Sequence, residues 1–200
     1  MLHPLGNKAA RTRTALLSGA YDQFVRVGYR ATSVEDIHGT AGVSLGTFYQ
    51  YFRDKADVIT TLVADQIIES SEHLARPGRV RPTLEGAVET VAPYIRHYAE
   101  TADFQRVWEE ATHIEPEVRS IRSDVAGLID EALRLGIARG QRSGAIHRSL
   151  DPAETARALN AMVDGYCYAT FVARGARGEK TVDSVIRTVA TIWSRVLEAR

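Results

Sequence analysis

From Ser44 to Lys55 the chain reads SLGTFYQYFRDK, a run that gathers hydroxyls, one amide and a base. The hydroxyls of Thr47, Tyr49 and Tyr51 can donate to phosphate oxygens, and the amide of Gln50 can pair with an adenine edge. Gly46 has no side chain to hold the backbone away from a duplex. Lys55 lies near the start of the following helix, where an ammonium can pair with a phosphate. Phe48 and Phe52 are four residues apart, so they share one helical face and should turn inward with Val43. Leu45, Gly46, Thr47, Tyr49, Gln50 and Tyr51 are left around the remaining circumference. Such a helix has an apolar back and a hydrogen-bonding front, which suits a duplex surface.

The preceding residues read as the elements that would hold this helix. Ser33 is an N-cap, and Asp36 three residues on can complete a variant of the capping box. Glu35 and Asp36 place negative charge in the first turn, where the helix dipole favours it. Val34, Ile37 and Ala41 make one apolar face. Gly42 ends this helix because glycine enters the left-handed conformation without steric cost, and Ser44 caps the next. A helix over residues 9–27 puts Leu16, Leu17, Ala20, Phe24 and Val27 inward and stops at Gly28. Together these make a three-helix unit containing a helix-turn-helix.

GVSLGTFYQYFRDKADVI, preceded by FVRVGYRATSVEDI, resembles the N-terminal domain of the TetR family of transcriptional repressors. The shared features are Gly28-Tyr29 at the end of the first helix and Thr32-Ser33 opening the second. Ala-Gly-Val-Ser, an aromatic run and a basic residue just beyond it follow in order, and the match covers roughly residues 9–60. The resemblance implies a dimeric repressor with a ligand-binding C-terminal domain. It implies that Thr47, Tyr49, Tyr51 and Lys55 touch the DNA backbone, with Leu45, Gly46 and Gln50 nearest the base edges. Thr32, Ser33 and Ser44 complete the expected DNA-binding set. Gly39 and Thr40 depart from the family, which more often has helix formers there, and interior Gly costs up to about 1 kcal/mol relative to Ala. Leu45 stands where relatives are often polar or basic, which favours contact with a thymine methyl over a hydrogen bond.

The 200 residues carry no formal net charge, with 44% hydrophobic and 25% charged residues, an ordinary globular composition. The charge is nonetheless uneven. Residues 1–56 hold seven Lys/Arg against four Asp/Glu, and residues 57–200 hold eighteen against twenty-one. A basic N-terminal module is what local phosphate recognition requires. The single cysteine, Cys167, excludes an internal disulfide framework and fits a cytoplasmic protein. No apolar run approaches a membrane span and no signal sequence is evident. The cofactor expectation is none, and the missing Cys/His clusters argue against structural zinc. Residues 1–8 read as a mobile arm from which Lys8, with Arg11 and Arg13 beyond it, could reach phosphates or the minor groove.

The expected fold is all-α. A helix-turn-helix DNA-binding domain (residues 1–56) joins a helical-bundle ligand-binding and dimerisation domain (residues 57–200). Helices are predicted over 54–74, 83–101, 103–112, 116–143, 152–174 and 179–198, with a Pro-containing loop over 75–82. The last two are apolar on more than one side, through Ala156, Leu159, Met162, Val163, Tyr166 and Ala169, and through Val182, Val185, Ile186, Val189, Ile192, Trp193 and Val196. A second copy of the same pair would cover them in an intersubunit four-helix bundle. Aromatic residues with polar tips and imidazoles line small-molecule pockets, which nominates Tyr94, His97, Tyr98, Phe104, Trp108, Met162 and Tyr166. Glu109 and His113 at i,i+4 are too few ligands for a metal site.

No Ser/His/Asp or Cys/His arrangement, phosphate loop or H-E-x-x-H motif occurs, which argues against a small all-α enzyme. The reading is a ligand-responsive regulator that binds a pseudo-palindromic operator as a dimer and is released by a small molecule. The alternative is a helical protein-interaction module whose helix-turn-helix is purely structural.

Overall fold

The computed structural model describes residues 7–70 and 80–198. Residues 1–6 of the arm expected over 1–8, and most of the Pro-containing loop, lie outside the described residues, whereas Asn7 and Lys8 already belong to the first helix. Every named element is helical: α1 (Asn7–Val27), α2 (Val34–Thr40), α3 (Leu45–Tyr51), α4 (Lys55–Ser70), α5 (Leu84–Glu100), α6 (Ala102–Ile114), α7 (Pro116–Arg142), α8 (Pro152–Cys167) and α9 (Glu179–Leu197). A π-helical turn, Tyr168–Ala173, continues α8. The fold is all-helical, as the sequence periodicity predicts.

Local chemistry sets the boundaries of the short helices. Ser33 caps α2 by accepting from the Asp36 N–H, and the Asp36 carboxylate accepts from the Ser33 N–H, a closed capping box. The Ser33 hydroxyl, which donates to the Asp36 carboxylate at 2.6 Å, and then the Ser33 N–H hold the Asp36 carboxyl below its usual range. Ser44 caps α3 by accepting from the Thr47 N–H at 3.1 Å. Pro152 occupies the first turn of α8 behind an Asp151 cap. Gly42 has φ +67°, the left-handed turn expected after α2.

Packing sorts the chain into two compact units. The first comprises residues 1–69 and 103–121, and the second residues 70–102 and 122–200. This division differs from a boundary at residue 56, because α4 and most of α6 contribute core to the first unit through Val58, Ile59, Leu62, Val63, Phe104, Val107 and Ala111. Phe24, Tyr29, Ile37 and Phe48 complete that core. Val27, expected inward, is instead 42% exposed at the last turn of α1.

The second unit packs Ala87, Val91 and Ile95 of α5 with Leu133 and Ile137 of α7, Leu159 and Val163 of α8, and Val185, Val189 and Trp193 of α9. Much of the apolar surface that seemed to need a second copy of α8 and α9 is thus covered within the chain. Among the described residues no helix is long and apolar enough to cross a membrane.

Cys167 is fully buried, and burial pushes its thiol up to about 12, with the nearby Asp164 carboxylate adding to the effect. The thiol therefore stays protonated at neutral pH and lacks nucleophilicity. The native chain should react with a thiol-specific disulfide reagent at pH 8 orders of magnitude more slowly than the denatured chain. Equal rates would mean that α8 opens on the assay timescale.

Candidate nucleic-acid interface

The helix that presents the front face, α3, has seven residues, too few to persist alone in water. Its burial holds it in place. Phe48 is fully buried and Phe52 is 3% exposed, with ring centroids 6.0 Å apart. The Arg13 guanidinium covers the Phe52 ring at 5.7 Å. Val43 packs against the same core from the turn, and the C-terminal half of α2 is fixed to that turn by His38 Nδ1 at 3.0 Å from the Val43 carbonyl.

With its back seated, α3 exposes Leu45 (39%) and Tyr49 (56%), and Gly46 and Gln50 are exposed beside them. Leu45, Gly46, Tyr49 and Gln50 therefore form one contiguous front, bearing a methyl-contacting group, a bare backbone, a phenol and an amide. An added Cβ on Gly46 would come no nearer than 3.9 Å to another group, so the position is open for close approach. Thr47 is half-buried, its hydroxyl 2.9 Å from Ser44 Oγ. Tyr51 is also half-buried and packs against the core, which removes part of its ring from the front.

The remaining members of the expected set have other work. The buried Thr32 hydroxyl donates to the Gly28 carbonyl at 2.8 Å. Ser33 and Ser44 are caps. Lys55 departs furthest from expectation. Its ammonium donates to the carbonyls of Tyr29 (2.9 Å), Arg30 (3.3 Å) and Thr32 (2.7 Å) and lies 4.6 Å from the centre of the Tyr29 ring. Three acceptors use all three N–H donors of an ammonium. Lys55 is thus a structural cation that fastens the start of α4 to the turn before α2, and desolvation holds its pKa below the usual lysine value. The sequence placed it correctly beside α3 but could not show the carbonyls above it.

The aromatic set nominated as a ligand site falls into two groups. Phe104 and Trp108 belong to the first unit, where Phe104 is fully buried and stacks on Tyr21 at 5.5 Å and 12°. Tyr94, Tyr98 and Met162 belong to the second unit, with Tyr98 buried between Tyr94 (5.9 Å) and Phe171 (6.5 Å). His97 is half-buried on α5, and Tyr166 is 36% exposed.

Of these, Tyr94 alone lines a cavity of about 30 Å³ in the second unit, bounded also by Thr90, Val91, Ile129, Leu133, Asn160, Val163 and Trp193. The Tyr94 hydroxyl donates to Asp164 at 3.1 Å, and Arg122 donates to the other oxygen of that carboxylate at 3.1 Å. Burial and the Asp164 charge raise the Tyr94 pKa. Asn160, the polar break in an otherwise apolar α8 stripe, was the available signal for this cavity. Among the described residues no group of three or more His, Cys, Asp or Glu is placed to hold a metal. Glu109 and His113 pair with each other at 3.2 Å.

A capped helix-turn-helix with a seated second helix and an exposed polar front defines a DNA-binding transcriptional regulator. Residues 16–62 match the family model described as bacterial regulatory proteins, tetR family. The chain is 27% identical over 174 residues to the probable HTH-type transcriptional regulator ArpR of Pseudomonas putida, covering 82% of each chain. It is 24% identical over 176 residues to the HTH-type transcriptional repressor AcnR of Corynebacterium efficiens, covering 88% of each. Its fold resembles NalD, the secondary repressor of the MexAB-OprM multidrug efflux pump in Pseudomonas aeruginosa. The TM-score is 0.73 at 19% identity, over 95% of this chain and 98% of NalD. Over residues 16–62 the chain is thus similar to the DNA-binding domain of TetR-family transcriptional regulators, and over most of its length to the regulators named above.

Two substitutions separate scaffold from front. Phe48→Ala should destabilise the chain by about 3–5 kcal/mol in urea unfolding, because it opens a cavity under α3. Tyr49→Ala should change stability by less than about 0.5 kcal/mol. A Phe48→Ala loss as small as that of Tyr49→Ala would contradict the assignment of α3's buried face.

Proposed function

We propose that the chain is a ligand-responsive repressor that binds a pseudo-palindromic operator as a homodimer in the cytoplasm and is released by a small molecule. The observation that carries this reading is the exposed front of Leu45, Gly46, Tyr49 and Gln50 on a helix whose other face is fully seated. In this reading residues 1–56 hold the DNA-binding function, and residues 57–200 hold ligand binding and dimerisation. Gln50 reads an adenine edge, Leu45 contacts a thymine methyl, and Tyr49 and Thr47 donate to phosphates.

The dimer is supported by Tyr166, Ile192 and Val196, which stay 36%, 41% and 42% exposed on the last two helices after the rest of their apolar faces are buried. Exposed apolar residues along a C-terminal helix pair suit an isologous contact with the same pair of a second copy.

The effector site is supported by the cavity beside Tyr94, now narrow enough to hold little more than water. Ligand entry would have to part its walls. Such a ligand acts only through its different affinity for the DNA-competent and DNA-incompetent states. The nominated Phe104 and Trp108 then act as core of the first unit, and Thr90, Asn160 and Trp193 join Tyr94 in the pocket.

The direct test is selection of bound duplexes from random DNA. Gln50→Ala should relax preference at one base pair per half-site, by about 1–3 kcal/mol. Tyr49→Phe should weaken all duplexes alike without changing the salt slope, since a neutral contact releases no counterion. Unchanged base preference in Gln50→Ala would remove α3 from the reading role. In sedimentation, the double variant Ile192→Glu/Val196→Glu should be a monomer where the parent chain is a dimer. A parent chain that sediments as a monomer at micromolar concentration would contradict the proposed assembly.

A further inference from the structure

Outside the helix-turn-helix, one carboxylate is bonded to backbone inside the DNA-binding region. Glu110, on α6, accepts the Tyr29 N–H on one oxygen and the Arg30 N–H on the other, each at 2.9 Å. These amides lie between α1 and α2, past the end of one helix and before the cap of the next. The fit is close from the other side too. A Cβ on Gly28, whose φ is +93°, would stand 2.9 Å from the same Glu110 oxygen. Glycine is required there for its backbone angle and for the carboxylate's approach.

Three further contacts fix this turn. The Tyr29 hydroxyl donates to Glu115 at 2.6 Å, and the Tyr29 ring is buried against Phe24 at 5.3 Å. From α4, Lys55 takes the carbonyls of Tyr29, Arg30 and Thr32. The turn therefore has its donors held by an anion and its acceptors by a cation. Charge-assisted bonds of this kind are shorter and stronger than neutral ones.

We propose that Glu110 is a positioning residue for DNA recognition, holding from α6 the turn that sets the direction of α2 and hence of α3. The proposal rests on α3 being the reading helix. A rotation of the Gly28–Thr32 turn would carry the Ser33 cap with it, and α2 packs directly on α3. Glu110 touches no base or phosphate in this account. Its loss should therefore alter affinity without altering which bases are preferred or how many counterions are released.

The test compares wild type, Glu110→Ala and Glu110→Gln as full-length chains, using a fluorescein-labelled duplex that the wild type selects from random DNA. Glu110→Ala should bind it about tenfold more weakly, the scale of losing the charged partner of one part-buried donor, with the exposed Arg30 N–H free to turn to water. Its salt slope and base preference should match the wild type. Amide hydrogen exchange of the free chain should show Tyr29 and Arg30 deprotected in Glu110→Ala. Glu110→Gln, which keeps one neutral acceptor oxygen, should fall between the two in both readouts.

Wild-type affinity in Glu110→Ala with deprotected amides would reduce the contact to scaffolding and overturn the proposal. So would a loss fully explained by the unfolded fraction at the assay temperature, read from thermal melts of the same samples. If Gln50→Ala left base preference unchanged, the assignment of α3 would fail independently. A wild-type chain that retained no duplex would overturn both.

Discussion

The arrangement depends on a five-residue turn whose backbone is held by opposite charges. Between α1 and α2 the peptide groups of Tyr29 and Arg30 have no helical partners, and the burial of Tyr29 and Thr32 on either side of the exposed Arg30 and Ala31 makes unpaired groups costly there. Glu110 takes the two N–H groups, and Lys55 takes the carbonyls of both residues and of Thr32. Because Glu110 lies on α6, the three-helix unit is completed by an element outside residues 16–62, the stretch that carries the family signature. The compact first unit accordingly includes residues 103–121. The matched residues 16–62 supply α2, α3 and Lys55, and α6 of the same compact unit supplies Glu110.

Above this anchor, α2 and α3 have seven residues each. Helices of two turns do not hold together by propensity, so capping and burial must supply the order. Ser33 and Ser44 satisfy the first orphan amides, and Ile37, Phe48 and Phe52 remove the inner faces from water. The polar front can then vary without cost to the fold. Leu45, Tyr49 and Gln50 are exposed and free of that demand, while Phe48 answers to the core.

Legibility followed the range of the interactions. Caps, glycine stops and apolar periodicity are local, so the helix boundaries, the Ser33–Asp36 capping box and the inward Phe48 and Phe52 could all be read from the sequence. Lys55 could not. Its spacing after α3 is equally consistent with a phosphate and with the carbonyls of a turn 23 to 26 residues earlier. Glu110 carried no local signal, lying in an acidic stretch that resembles a solvated face. The grouping of the aromatic set was hidden for the same reason. Phe104, Trp108, Tyr94 and Tyr98 share a composition suited to ligand binding, but core membership sorts them into different units. The π-helical turn after α8 likewise has no sequence mark that distinguishes it from continued α-helix.

The proposed reading front on α3 and the charged groups that hold the turn before α2 can be separated in one measurement. A ¹H–¹⁵N correlation spectrum of the chain, free and bound to a selected duplex, tests both most directly when it includes the lysine ammonium resonances. The largest shifts should fall at Leu45, Gly46, Tyr49 and Gln50, with the Lys55 ammonium resonance unmoved because its three donors stay on carbonyls. A Lys55 ammonium that shifts on DNA binding, with the α3 front unperturbed, would contradict both.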